Sequence, residues 1–156
     1  MQSIWNKYVL VESSISAVIN AILSIGFAFA VFHGRAIVMA AGPGGLVRDA
    51  IPQTLAVAFM GSLVPLLLTR KRFTKGALPL NPTPRPGAPA NPFLTAILIA
   101  LALLLGGAGL QALVLPQVFA KGLDFRQLLL FKTCYGAVLG AFATALALRL
   151  TWRIAY

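Results

Sequence analysis

Acidic side chains are nearly missing: Glu12, Asp49 and Asp124 are the three in 156 residues, beside 13 Lys and Arg. Charge of either sign is scarce, at 10% of the chain against about 25% in an average soluble domain. No carboxylate falls deep inside an apolar stretch, which argues against a proton or ion relay and so against a proton-coupled transporter. Cys134 is the one cysteine, so neither an internal disulfide nor a cysteine metal cluster can form. It reads as a small packing residue. His33 is the single histidine and stands beside Gly34 and Arg35 with no second ligand nearby. GxSxG, HExxH, P-loop and dinucleotide fingerprints are all missing. The run Ala41-Gly42-Pro43-Gly44-Gly45 is turn chemistry and no phosphate cradle. The chain is therefore expected to be no enzyme, with no catalytic, cofactor-binding or metal-ligating residues.

What the chain holds in quantity is apolar sequence, at 59%. Four stretches, Ile15 to Phe32, Ile51 to Thr69, Phe93 to Leu115 and Leu128 to Leu148, contain no acidic residue. A helix rises about 1.5 Å per residue and the hydrocarbon layer is about 30 Å thick, so roughly 20 residues cross it. All four approach or exceed that length. The expected fold is all-α: a polytopic membrane protein with four transmembrane helices in an up-down-up-down bundle. Only termini and loops remain outside the lipid, so residues 1–156 form one membrane domain. It divides into a helical hairpin over 8–72, a linker over 73–92 and a second hairpin over 93–152. Ala28-Phe29-Ala30 resembles a signal-peptide cleavage site, but the preceding apolar core is long and Glu12, Ser13 and Ser14 interrupt the approach to it. An uncleaved first helix is the better reading.

The placement of the bases gives the orientation. Lys7, Arg70, Lys71, Arg72, Lys75, Arg85, Arg149 and Arg153 fall on the side of the termini and the middle loop. Arg35, Arg48, Lys121 and Arg126 fall on the other, with Lys132 just inside the fourth span. The positive-inside rule puts both termini and the middle loop in the cytoplasm, in a bacterial inner (plasma) membrane. Trp5 and Tyr8 before the first span and Trp152 and Tyr156 after the last agree with an even number of crossings. The net charge of +10 is distributed between spans, so it points to the membrane surface and not to nucleic acid. Arg70, Lys71 and Arg72 are the expected contact for anionic lipid head groups. Pro79, Pro82, Pro84, Pro86, Pro89 and Pro92 make the middle loop a semi-rigid extended linker.

The halves share a faint repeat. At an offset of 75, Asp49 matches Asp124, Gly61 matches Gly136, Leu55 matches Leu130 and Gly34 matches Gly109. Such a pattern is that of a tandemly duplicated two-helix hairpin with a pseudo-twofold along the membrane normal. Asp49 and Asp124 each begin a span and are candidate helix caps, Asp124 with Gln127 as a capping box. Alternatively they ring an outer vestibule with Arg35, Arg48, Arg126 and Lys132. Lys132 is expected to snorkel to the outer surface.

Polar groups inside the spans are few, and lipid directs them toward other helices or water. Ser16, Asn20 and Ser24 recur every four residues, and Gly136, Gly140 and Thr144 do so in the fourth span. The first and fourth helices are therefore expected to pack together, with an interhelical Asn20 hydrogen bond. The alternative is a polar path through the bundle, to which Gln53 and Gln111 would add lining. Glu12 is expected to pair across the cytoplasmic side with Arg149, or with Arg70. Pro65 and the run Gly106, Gly107, Gly109, with Pro116 closing the third span, are kinks or interruptions that expose backbone.

Two function classes remain. The first is a structural or accessory four-helix membrane protein that packs with itself, as a homodimer, or with a larger membrane complex. The second is a small dimeric permease or channel-like transporter of a small solute or anion.

Overall fold

The computed structural model describes residues 2–78 and 82–154; Pro79 and Tyr156 lie outside these. Its helices are α1 (Gln2–Phe32), α2 (Leu46–Thr74), α3 (Pro92–Leu103), α4 (Gly109–Val118) and α5 (Phe125–Thr151). A π-helical turn over Leu104–Ala108 joins α3 to α4, so Pro92–Val118 is one span. Four helices are thus long and apolar enough to cross a membrane. The chain is a helical membrane protein.

Each helix outruns the apolar stretch that announces it. Hydropathy records only the part fit for hydrocarbon, whereas backbone hydrogen bonding continues through Lys7, Glu12, Ser13 and Ser14 at the start of α1. Pro65 lies inside α2 without ending it. Pro116 does not close the third span either: the helix runs on to Val118 and the chain turns at Phe119, whose φ and ψ are −117° and 48°. Real caps start two of the helices. The Asn91 side chain accepts from the Phe93 N–H at 2.9 Å, ahead of Pro92 in the first turn. Asp124 accepts from the Gln127 N–H at 2.8 Å while the Gln127 side chain accepts from the Asp124 N–H, a reciprocal capping box.

The connections are tied together in pairs. β1 (Ile37–Val38) runs antiparallel to β3 (Leu123–Asp124), joining the loop after α1 to the loop after α4. Gly122, at φ +79°, makes this possible, since a Cβ there would come within 2.9 Å of the Val38 carbonyl oxygen. β2 (Pro82–Pro84) runs antiparallel to β4 (Trp152–Ile154), and the Arg85 N–H donates to the Thr151 carbonyl at 3.0 Å. The Pro-rich linker is therefore fastened to the chain that leaves α5 and is no free spacer.

α5 holds the helices together. α1 packs along it, α2 packs against both α5 and α3, and α1 meets α2 only sparsely. On α1 the buried stripe is Trp5, Val9, Glu12, Ser13, Ser16, Asn20, Ser24, Ala28 and Phe32. The face turned outward carries Ile15, Val18, Ile19, Ile22, Leu23 and Phe27. That polarity is the reverse of a water-soluble helix and is stable only where lipid surrounds it. Cys134, by contrast, is exposed on α5 and is not a packing residue. Being small did not turn it inward, because Gly136 and Gly140 on the neighbouring face let α1 approach more closely.

Those glycines are steric necessities. A methyl at Gly136 would overlap the Ser24 hydroxyl and lie 3.0 Å from the Asn20 carbonyl oxygen, and one at Gly140 would overlap the Asn20 amide. Around Gly26, on α1 itself, nothing lies within 4 Å of such a methyl. Gly136→Ala is expected to destabilise the fold by about 1–3 kcal/mol through overpacking. Gly26→Ala should leave it unchanged or stabilise it by up to about 1 kcal/mol through helix propensity. Denaturant unfolding in mixed micelles measures both; equal stability of the two variants would remove α1 against α5 as the governing contact.

Candidate functional site

Polar side chains of α1, α2 and α5 form one seam with an ion pair at each end. At the end near the β1–β3 pair, the Lys132 ammonium on α5 donates to the Asp49 carboxylate on α2. Lys132 is 1% exposed, and its charge also lies 5.0 Å from the centre of the Phe32 ring, a favourable cation–π distance. Further along, the Gln53 amide donates to the Ser24 hydroxyl at 3.1 Å, and that hydroxyl rests over Gly136. Next come Asn20 and Ser16. The Asn20 amide donates to the Ser16 carbonyl at 2.8 Å and to its hydroxyl at 3.2 Å, while Ser16 Oγ crosses to α5 and donates to the Gly140 carbonyl at 3.0 Å. Beside it the Thr144 hydroxyl donates to the Gly61 carbonyl of α2 at 2.6 Å.

At the far end Glu12 pairs with Arg72. The same guanidinium nitrogen donates to the Tyr8 hydroxyl at 2.9 Å, and Tyr8 lies 2.7 Å from the Thr69 hydroxyl. Aromatic rings enclose this end: Trp5 stacks on Tyr8 and on Phe73 at centroid distances of 5.7 and 6.4 Å, and Phe73 meets Trp152 edge-on at 5.3 Å.

Several expected roles change. Asp49 caps no helix: Gly45 is the N-cap of α2 and receives no side-chain bond, while Asp49 serves as counter-ion to Lys132. Lys132 does not snorkel outward, because a carboxylate and an aromatic face meet it inside the bundle. It is therefore no part of an outer vestibule, and the repeat partners Asp49 and Asp124 do different work. Glu12 pairs with neither Arg149 nor Arg70 but with Arg72, since Glu12 faces the gap between α1 and α2; Arg149 is exposed. Asn20 makes its bonds within α1, and Ser16 makes the crossing to α5.

Gln111 stands apart. Among the described residues no hydrogen bond links it to Ser16, Asn20 or Gln53. It lies beside the Tyr135 hydroxyl, which is 2.6 Å from the Thr54 hydroxyl and 3.0 Å from where a Cβ on Gly107 would be. Gly107, in the π-helical turn, thus leaves room for Tyr135. The Gln111 amide nitrogen is buried without a partner. Tyr135 and Thr54 were legible only as rare hydroxyls in apolar spans.

Between α1 and α2 a cleft of about 200 Å³ opens outward, with Ser16 and Asn20 at its floor and apolar side chains along its walls. Among the described residues no group of three or more His, Cys, Asp or Glu is placed to hold a metal ion. No protein-family model matches the chain, and neither curated proteins nor solved structures contain a significant match to it.

The buried pair at Lys132 sets a clear expectation. Lys132→Met strands the Asp49 carboxylate and should cost about 3–5 kcal/mol of stability. Adding Asp49→Asn should recover most of that loss, because the pair's own net worth is small once both charges are gone. Unfolding of both variants in mixed micelles checks it; equal stability of the single and double variants would mean the two residues do not interact.

Proposed function

We propose that this protein is a structural or accessory component of a membrane, an up-down-up-down four-helix bundle that assembles with itself or with a larger membrane complex and carries out no catalysis. One observation carries the reading. Ser16, Asn20, Ser24, Gln53 and Thr144 all find hydrogen-bond partners within the protein, so these five do not form a row of unbonded side chains to conduct a solute. Ser16 ties α1 to α5, Thr144 ties α5 to α2, and Gln53 with Ser24 ties α2 to α1.

The rest of the reading follows from charge and exposure. The bases around the β2–β4 end assign that end to the cytoplasm of a bacterial inner membrane, with both termini there. Arg70 and Lys71 are exposed and Arg72 is partly so, which suits contact with anionic lipid head groups. Of the four, the Pro92–Val118 span is the most apolar and the least buried. That face is available to lipid or to a protein partner such as a second copy. A tandem duplication is in keeping with the packing: α2 and α5 pack together, α1 lies on α5 and α3 on α2, so the first helix of each hairpin leans on the second helix of the other.

The second reading, a small dimeric permease for a small solute or anion, is favoured by the cleft beside Asn20 and by the unpaired Gln111 amide. Cysteine accessibility separates the two. In a Cys134→Ala background, Asn20→Cys in intact vesicles is expected to resist a water-soluble maleimide, while a cysteine at exposed Arg48 reacts fully. Rapid labelling at position 20 would favour the permease.

A further inference from the structure

The cleft between α1 and α2 has a length and a chemistry of its own. On α1 its lining runs from Glu12 to Leu23, about 16 Å at 1.5 Å per residue. Half of a hydrocarbon layer about 30 Å thick is nearly the same distance. The cleft is thus one leaflet deep. It exists because α1 and α2 both pack on α5 and touch one another mainly through Ser24 with Gln53 at one end and Glu12 with Arg72 at the other. Gly61 and Pro65 line it from the α2 side.

Its walls are Ile15, Ile19 and Leu23 on α1 and Met60, Val64 and Leu68 on α2, each 40% exposed or more. Ser16 and Asn20 on the floor are already bonded to protein. What remains for an occupant along the length is apolar contact. The Glu12 end is different. There Arg72 spends one guanidinium nitrogen on Glu12 and Tyr8, its side chain is 39% exposed, and Arg70 and Lys71 stand exposed beside it in sequence. Glu12 is the one acid at this end, and Arg72 already neutralises it.

We propose that the α1–α2 cleft is a binding site for one anionic phospholipid of the surrounding bilayer, with an acyl chain along the cleft and the phosphate on Arg72. An apolar slot one leaflet long that ends on Glu12, with its partner Arg72 and the exposed Arg70 and Lys71 just beyond, matches an anionic amphiphile in both shape and charge. The site rests on the proposed lipid contact of the basic end and narrows it to a single held molecule.

Native mass spectrometry of the full chain, exchanged into micelles with phosphatidylglycerol or phosphatidylcholine of identical acyl chains, tests it. One phosphatidylglycerol per chain is expected to survive activation that strips the others, with at least tenfold preference over phosphatidylcholine. Val64→Trp, which fills the cleft from its exposed rim, should abolish that retention; Met60→Trp is a second filling variant should the first fold poorly. Leu105→Trp, on the lipid-facing side of the π-helical turn, should retain the lipid. Retention undiminished in both well-folded filling variants would overturn the cleft assignment, and if the phosphatidylglycerol preference persisted there the surface contact at Arg70 to Arg72 would still stand. Equal retention of the two lipids would overturn the assignment to an anionic lipid together with that surface contact. A second protein chain, released by Val64→Trp, would show that the cleft belongs to a dimer interface and overturn the lipid site.

Discussion

In hydrocarbon a polar group has no water to fall back on, and every contact of note in this molecule answers to that constraint. It inverts α1, whose Ser13, Ser16, Asn20 and Ser24 turn inward while Ile15, Ile19, Ile22 and Phe27 face out. Apolar side chains gain little by leaving lipid for protein, so they do not drive the helices together. Hydrogen bonds and close packing must do so, at about 0.6–2 kcal/mol for each interhelical bond. Few such bonds are present, and each matters accordingly.

Those bonds need near approach of the backbones, which gives α5 its place. The carbonyl of Gly140 is reached by Ser16 because no side chain intervenes, and the carbonyl of Gly61 is reached by Thr144 for the same reason. Glycine here serves less as a flexible residue than as an opening onto an acceptor. The two ion pairs complete the arrangement. Lys132 with Asp49 and Glu12 with Arg72 each fasten α2 to a neighbouring helix close to one of its ends. Charge is admitted to the interior only where its counter-charge arrives with it.

Much of this was legible in the sequence, because hydropathy and four-residue spacing are local signals. The four spans were, and so were the small faces Ser16-Asn20-Ser24 and Gly136-Gly140-Thr144 and the Asp124–Gln127 box. The ion pairs were not. Asp49 and Lys132 are 83 positions apart, and their meeting depends on how far each helix is rotated about its own axis. By depth Glu12 is expected to meet Arg149 or Arg70, yet it pairs with Arg72, across the cleft between α1 and α2. Asp49 and Asp124 look alike in the chain, yet one ends in a salt bridge and the other in a cap, since only the first faces a buried lysine. The π-helical turn has a local trace in Gly106 and Gly107, but the Tyr135 hydroxyl that packs on Gly107 comes from another helix.

The proposed accessory role draws on the same physics: Ser16, Ser24, Gln53 and Thr144 are bonded from helix to helix and are not lined up for a moving solute. The central claim is that the seam between α1, α2 and α5 is dry. Water-edited solid-state NMR of the labelled protein in bilayers measures this directly, by the rate at which water magnetisation reaches the side-chain amides of Asn20 and Gln53. Transfer as slow as to core backbone such as Ala143 is the expected result. Transfer as fast as to the loop residues around Gly42 would contradict the account and make the seam a water-filled path.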